Sequence, residues 1–204
     1  GAEHLMNKPT HLIFGEIIWK YLDENYGITL NRAGFLLGNI APDLTFSFVF
    51  HPHERKYASE HLRVAIDAAI KAGDIMDFDA GFFLAERLGS ICHYCADFFC
   101  EAHTERYQGN LKEHILFEKK LYRYCMRNEK ELGEAMQQPR SFSVSGTGDI
   151  FRKIEEMNDA YLAGRPSCRA QAEGALSACL QTVGTIMTTR YYAAFNVEPG
   201  FLVH

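Results

Sequence analysis

Residues 79–100 read DAGFFLAERLGSICHYCADFFC, and the fold turns on how this stretch is read. Apolar residues recur at helical spacing, and the neighbours of His93 and Asp97 (Leu88, Ile91, Cys92, Tyr94, Phe98, Phe99) are mostly apolar, which predicts a core helix from Asp79 to about Cys100. His93 and Asp97 stand four apart, so both side chains leave the same side of that helix. An ionised carboxylate in such surroundings is costly unless a cation or a full set of hydrogen bonds meets it. The pair is therefore half of a metal site or a hydrogen-bonded couple in the core. Burial favours the first reading.

Downstream, His103 lies just past the predicted helix end, and His114-x3-Glu118 repeats the four-residue spacing on a helix predicted over Leu111–Met126. Neutral imidazole and carboxylate suit Zn²⁺, and three protein ligands leave positions open for water. His114 and Glu118 alone also fit an ordinary solvated helix face. Upstream, periodicity predicts a helix over Thr10–Asn25, then a short one capped by Thr29 that ends near Asn39, because Pro42 restrains Ala41. Asp43 would follow that stop. Leu44–Lys56, with Pro52, His51 and His53, reads as a loop of the kind that carries ligands.

Further helices are predicted over Ser59–Ala72, Glu129–Gln137, Asp149–Ala163 (capped by Asp149) and Ser167–Phe195. No hairpin signal, repeat or linker interrupts the series, so residues 6–204 read as one all-α domain, a helical bundle, with Gly1–Leu5 as non-native residues ahead of Met6. At 204 residues and 47% hydrophobic, the chain can bury a core without disulfides. A formal charge of −5 with both signs interspersed argues against a stable nucleic-acid partner. No apolar run reaches membrane-spanning length, leaving at most peripheral membrane contact. Cys92, Cys95 and Cys100 fall in one helical pattern and read as packing thiols, pointing to a reducing, cytoplasmic setting unless a signal peptide has been removed.

Gly89-x3-His93-Tyr94-x2-Asp97-x5-His103 followed by His114-x3-Glu118 resembles the metal-binding core of the zinc-dependent phospholipase C family, to which the single-strand-specific fungal zinc nucleases are more distantly similar. Pro9-Thr10-His11-Leu12 resembles the family's early ligand histidine, and Gly38-Asn39-Ile40-Ala41-Pro42-Asp43 the segment that delivers a ligand aspartate. The resemblance implies two or three Zn²⁺ per chain. Asp43, His53, His93 and Asp97 would hold one, Asp97 would bridge to a second held by His11, and His103, His114 and Glu118 would hold a third. His51 or His61 could take the place of His53. The family's mature N-terminal Trp, a zinc ligand, has no counterpart, since the single Trp is Trp19 within the first predicted helix. His4 and His204 read as ordinary.

The implied activity is hydrolysis of phosphoric esters, most of all diesters as in phospholipase C, by a hydroxide bridging two zincs, with Asp43 as the catalytic general base or water-orienting group. The substrate would be a small phosphate ester or a phospholipid. Two other readings stand beside it: a helical metal-binding or interaction protein without turnover, and a zinc nuclease or nucleotide phosphoesterase. In the last, Phe46, Phe48, Phe50 and Tyr57 could stack a base, although they could equally be core.

Overall fold

The computed structural model describes residues 8–44, 55–71, 81–100, 109–136, 146–165 and 167–195. Among the described residues the fold is all-α, with eight helices: α1 (Lys8–Tyr26), α2 (Arg32–Leu44), α3 (Arg55–Lys71), α4 (Phe82–Phe98), α5 (Leu111–Arg127), α6 (Glu129–Met136), α7 (Thr147–Ala163) and α8 (Cys168–Phe195). Phe46, Phe48, Phe50, His51, His53 and His103 lie outside the described residues, as does the side chain of Tyr57. No helix among the described residues is long and apolar enough to cross a membrane.

Two helices organise the core. α4 packs against α1, α2, α3 and α8, and α8 packs against α1 and α3 through α7. Both are buried on most of their circumference, which is why apolar residues surround their helical wheels instead of forming one stripe. Small residues let α8 fit among so many neighbours: Ala172, Ala175 and Ala178 are fully buried along it. Two of its threonines are satisfied within the helix, the Thr182 hydroxyl donating to the Ala178 carbonyl and that of Thr189 to the Thr185 carbonyl, each at 2.7 Å. Buried Arg190 donates to the carbonyl of Ala69 near the end of α3, at 2.7 Å.

The contact that positions the site is between α2 and α4, which touch backbone to backbone. A Cβ added at Gly38 would fall 1.9 Å from the Glu86 carbonyl oxygen, and one at Gly89 would fall 2.1 Å from that of Phe35. Only glycine permits this approach. The same packing explains why α2 continues to Leu44 and does not stop near Asn39. Pro42 removes one N–H from the helix, a local penalty that the extended contact with α4 overrides. Asp43 thus stands inside the helix, four residues and about one turn beyond Asn39 on the same face.

Three other boundaries differ from expectation for local reasons. Asn31, not Thr29, caps α2: its Oδ1 accepts from the Gly34 amide at 2.9 Å, while the Thr29 hydroxyl donates to Asp23. α7 begins at Thr147 after Gly146, so Asp149 sits in the first turn, where it pairs with Arg152 at 3.4 Å. α3 begins at Arg55, taking Arg55 and Lys56 out of the expected loop. Ser167 does open α8, accepting from the Ala170 amide at 3.0 Å.

α5 begins with a complete capping box. The Asn110 side chain accepts from the Glu113 amide at 3.1 Å, and Glu113 accepts from the Asn110 amide at 2.8 Å. Asn110→Ala should cost about 1 kcal/mol, lowering Tm by about 2–4 °C in a thermal melt. An unchanged melt would show that the cap adds nothing to stability.

Candidate metal centre

Three helices deliver the expected ligands to one buried point. His11 comes from the first turns of α1, Asp43 from the last turn of α2, and His93 and Asp97 from α4. One ligand atom from each of His11, Asp43 and His93 lies within 4.8 Å of the other two. His93 is fully buried, and the side chains of His11, Asp43 and Asp97 are no more than 7% exposed. Asp97 stands between the two imidazoles: its Oδ1 is 3.3 Å from His11 Nε2, and its Oδ2 is 3.4 Å from His93 Nε2. Asp43 Oδ1 approaches His93 Nε2 at 3.6 Å. The two rings stack, with centroids 4.0 Å apart and planes 24° from parallel.

These separations carry chemical information, because they exceed the usual 2.7–3.2 Å of a direct N–H···O bond. Two donors each about 2.1 Å from one tetrahedral zinc stand about 3.4 Å apart. The spacing of Asp97 and Asp43 around His93 Nε2 matches that of ligands sharing an ion better than that of hydrogen-bonded partners.

The orientation of His93 follows from its other nitrogen. Nδ1 is 2.9 Å from the carbonyl oxygen of Asn39, which can only accept, so Nδ1 carries the proton and Nε2 faces the carboxylates. Burial lowers the proton affinity of this imidazole, but Asp97 and then Asp43 outweigh it and raise the pKa to about 9. Burial first, then Asp97 and Asp43, likewise pushes the Tyr94 phenol up. The pocket is thus a strongly negative field in a dry surround, one that favours a cation. Among the described residues, both ring nitrogens of His11 and Oδ2 of Asp43 are buried with no hydrogen-bond partner, an expensive state that an ion would relieve. The donor set of imidazoles and carboxylates fits Zn²⁺.

Two of the remaining expected ligands, His114 and Glu118, pair with each other. On α5, His114 Nε2 and Glu118 Oε1 make a direct contact at 2.9 Å, with Glu118 buried and His114 partly exposed. His53 and His103 fall outside the described residues. His61 is exposed on α3, its ring 6.1 Å from that of Tyr94. The cysteines pack as expected: Cys92, Cys95, Cys100, Cys125 and Cys179 are buried, and all six are free thiols. Burial raises the pKa of Cys92 and Cys125, the latter to about 12, which keeps these thiols neutral and poor ligands.

One contributor escaped the sequence reading. Asn39 acts on the centre through its main-chain carbonyl, and a carbonyl leaves no signature of residue type. Its side chain is engaged within α2, Nδ2 donating to the Phe35 carbonyl at 2.9 Å. The position of Asn39 one turn before Asp43 was the only available hint. It became visible only once α2 was known to continue through Pro42.

No curated protein and no solved structure matches this chain. A family model does: residues 10–168, more than half the chain and including every expected ligand from His11 to Glu118, match the family described as zinc dependent phospholipase C. With those residues matched, and with four of them converging on a buried negative pocket whose donors suit zinc, the chain belongs to the zinc-dependent phospholipase C family.

Proposed function

We propose that the chain is a phosphodiesterase of phospholipase C type, working at the pocket between α1, α2 and α4. The carrying observation is Asp97, whose two oxygens face two different imidazoles at 3.3 and 3.4 Å, the arrangement of a carboxylate shared by two ions. His93, Asp43 and Asp97 would hold one zinc, joined by His53, with His51 or His61 as its alternates. His11 and Asp97 would hold the second. His103, His114 and Glu118 would hold a third. Bound zinc supplies Lewis acidity toward phosphoryl oxygens and acidifies water at neutral pH.

The protein's own groups divide the remaining work. Asn39 holds Nδ1 of His93 and thereby aims Nε2 into the pocket. Asp43 offers Oδ1 toward His93, while its buried Oδ2 has no hydrogen-bond partner among the described residues and is the acceptor for the proton of the attacking water. The carboxylates of Asp43 and Asp97 repel a phosphate ester approaching alone, so substrate binding depends on cations that reverse the local sign. No side chain is assigned as a covalent nucleophile. The six free thiols support a reducing, cytoplasmic setting.

Elemental analysis of protein purified without added metal tests the reading first, with two or three zinc per chain expected. Hydrolysis is then compared on phosphatidylcholine, a chromogenic diester and single-stranded DNA. Zinc-dependent cleavage of either of the first two, with DNA left intact, is the expected result. Folded protein without zinc would refute the metalloenzyme reading, and preferential cleavage of DNA would move the substrate to nucleic acid.

A further inference from the structure

The four residues of the centre share a chemical limitation. Asp43 and Asp97 are carboxylates, and His11 and His93 face them through Nε2, so all four would act as electron donors to a cation, with the Nδ1–H of each imidazole on the side away from it. A phosphate ester has two non-bridging oxygens, and the transition state for its hydrolysis concentrates charge on them. A hydrogen-bond donor beside the ions would therefore complete the site.

Tyr94 is placed to be that donor. It follows His93 on α4, and its ring meets the His93 ring edge-on, with centroids 5.5 Å apart and planes at 83°. The same ring lies 6.1 Å from that of exposed His61 on α3, so Tyr94 connects the buried centre with the protein surface. The side chain is itself half-buried. Burial, then the charges of Asp97 and Asp43, act on its phenol, which is thus within the field of the centre. A phenol ordinarily keeps its proton at neutral pH.

We propose that Tyr94 is a substrate-binding residue, its hydroxyl donating a hydrogen bond to a non-bridging oxygen of the phosphoryl group held at the metal centre. This assignment rests on the reading of the pocket as a phosphoester site. It concerns the phosphoryl group only and is independent of the alcohol esterified to it.

The test compares zinc-loaded wild type with Tyr94→Phe, which keeps the ring and its contacts with His93 and His61. Inorganic phosphate binding is measured by calorimetry, and hydrolysis of a chromogenic diester by steady-state kinetics. The expected result is unchanged zinc content and Tm, phosphate affinity weakened about tenfold, and kcat/KM lowered by about ten- to a hundredfold, the range for a lost hydrogen bond to a charged group. Equal phosphate affinity and equal kinetics would overturn the assignment while leaving the phosphoester reading intact. Loss of zinc or of Tm in Tyr94→Phe would also overturn it, by showing that the hydroxyl supports the ligands instead. A zinc-loaded wild type that neither binds phosphate nor cleaves a diester would overturn the phosphoester reading itself.

Discussion

Asp97→Asn is expected to release at least one zinc per chain and to lower diester hydrolysis by about a thousandfold, with the helical content unchanged. The reason is its position between His11 and His93, with one oxygen toward each ring. An amide keeps the shape of the carboxylate but presents only one oxygen, and it removes the charge that offsets two dications. If bound metal supplies about 4 kcal/mol of transition-state stabilisation, its loss at 1.36 kcal/mol per decade is about a thousandfold in rate. The variant also removes the leading attraction that holds the proton affinity of His93 up against burial. Zinc content by elemental analysis, circular dichroism and diester kinetics give the three readouts together. Full zinc occupancy with wild-type turnover would mean that Asp97 is no bridge.

Gly38→Ala is expected to act on the same centre from a distance. Its new Cβ would stand 1.9 Å from the Glu86 carbonyl oxygen, a backbone atom that cannot swing aside, so α2 and α4 must separate. Overpacking of this kind costs about 3 kcal/mol, or about 6–12 °C in Tm for a chain of this size. Separation of these helices also draws the Asn39 carbonyl from His93 Nδ1 and Asp43 from His93 Nε2. Zinc affinity should therefore fall along with stability. Gly133→Ala in α6 is the control, because a Cβ there meets nothing within 4 Å among the described residues, and it should be neutral or stabilising by up to about 1 kcal/mol. Equal melting temperatures for Gly38→Ala and wild type would show that the close approach of α2 and α4 is not needed.

Much of this architecture was legible from the residues. The 3.6-residue period of α1, α4, α5 and α8 is strong, and those helices lie within a few residues of their expected limits. The spacing of His93 and Asp97 in an apolar helix already implied that a charge would be buried there, and Asp97 is 3% exposed. Local rules failed where tertiary contact outweighed them. Pro42 is a stop signal by its own chemistry, yet α2 runs past it because the helix lies along α4. Thr29 and Asn31 are both competent caps, and only the actual path of the chain chose Asn31.

By itself, the sequence determined the residue types and their order: an all-helical chain, imidazoles and carboxylates at four-residue spacing on buried helix faces, and glycines at Gly38 and Gly89 among larger neighbours. Periodicity is a local property, so it can be read without knowing what lies across the core. Only the tertiary structure decided which of those groups meet. It placed His11, 82 residues before His93, in ring contact with it, and it set one carbonyl of Asn39 against the His93 imidazole. Those relations depend on how closely two helix backbones pack and on the rotation of each about its axis, and no single segment encodes either quantity.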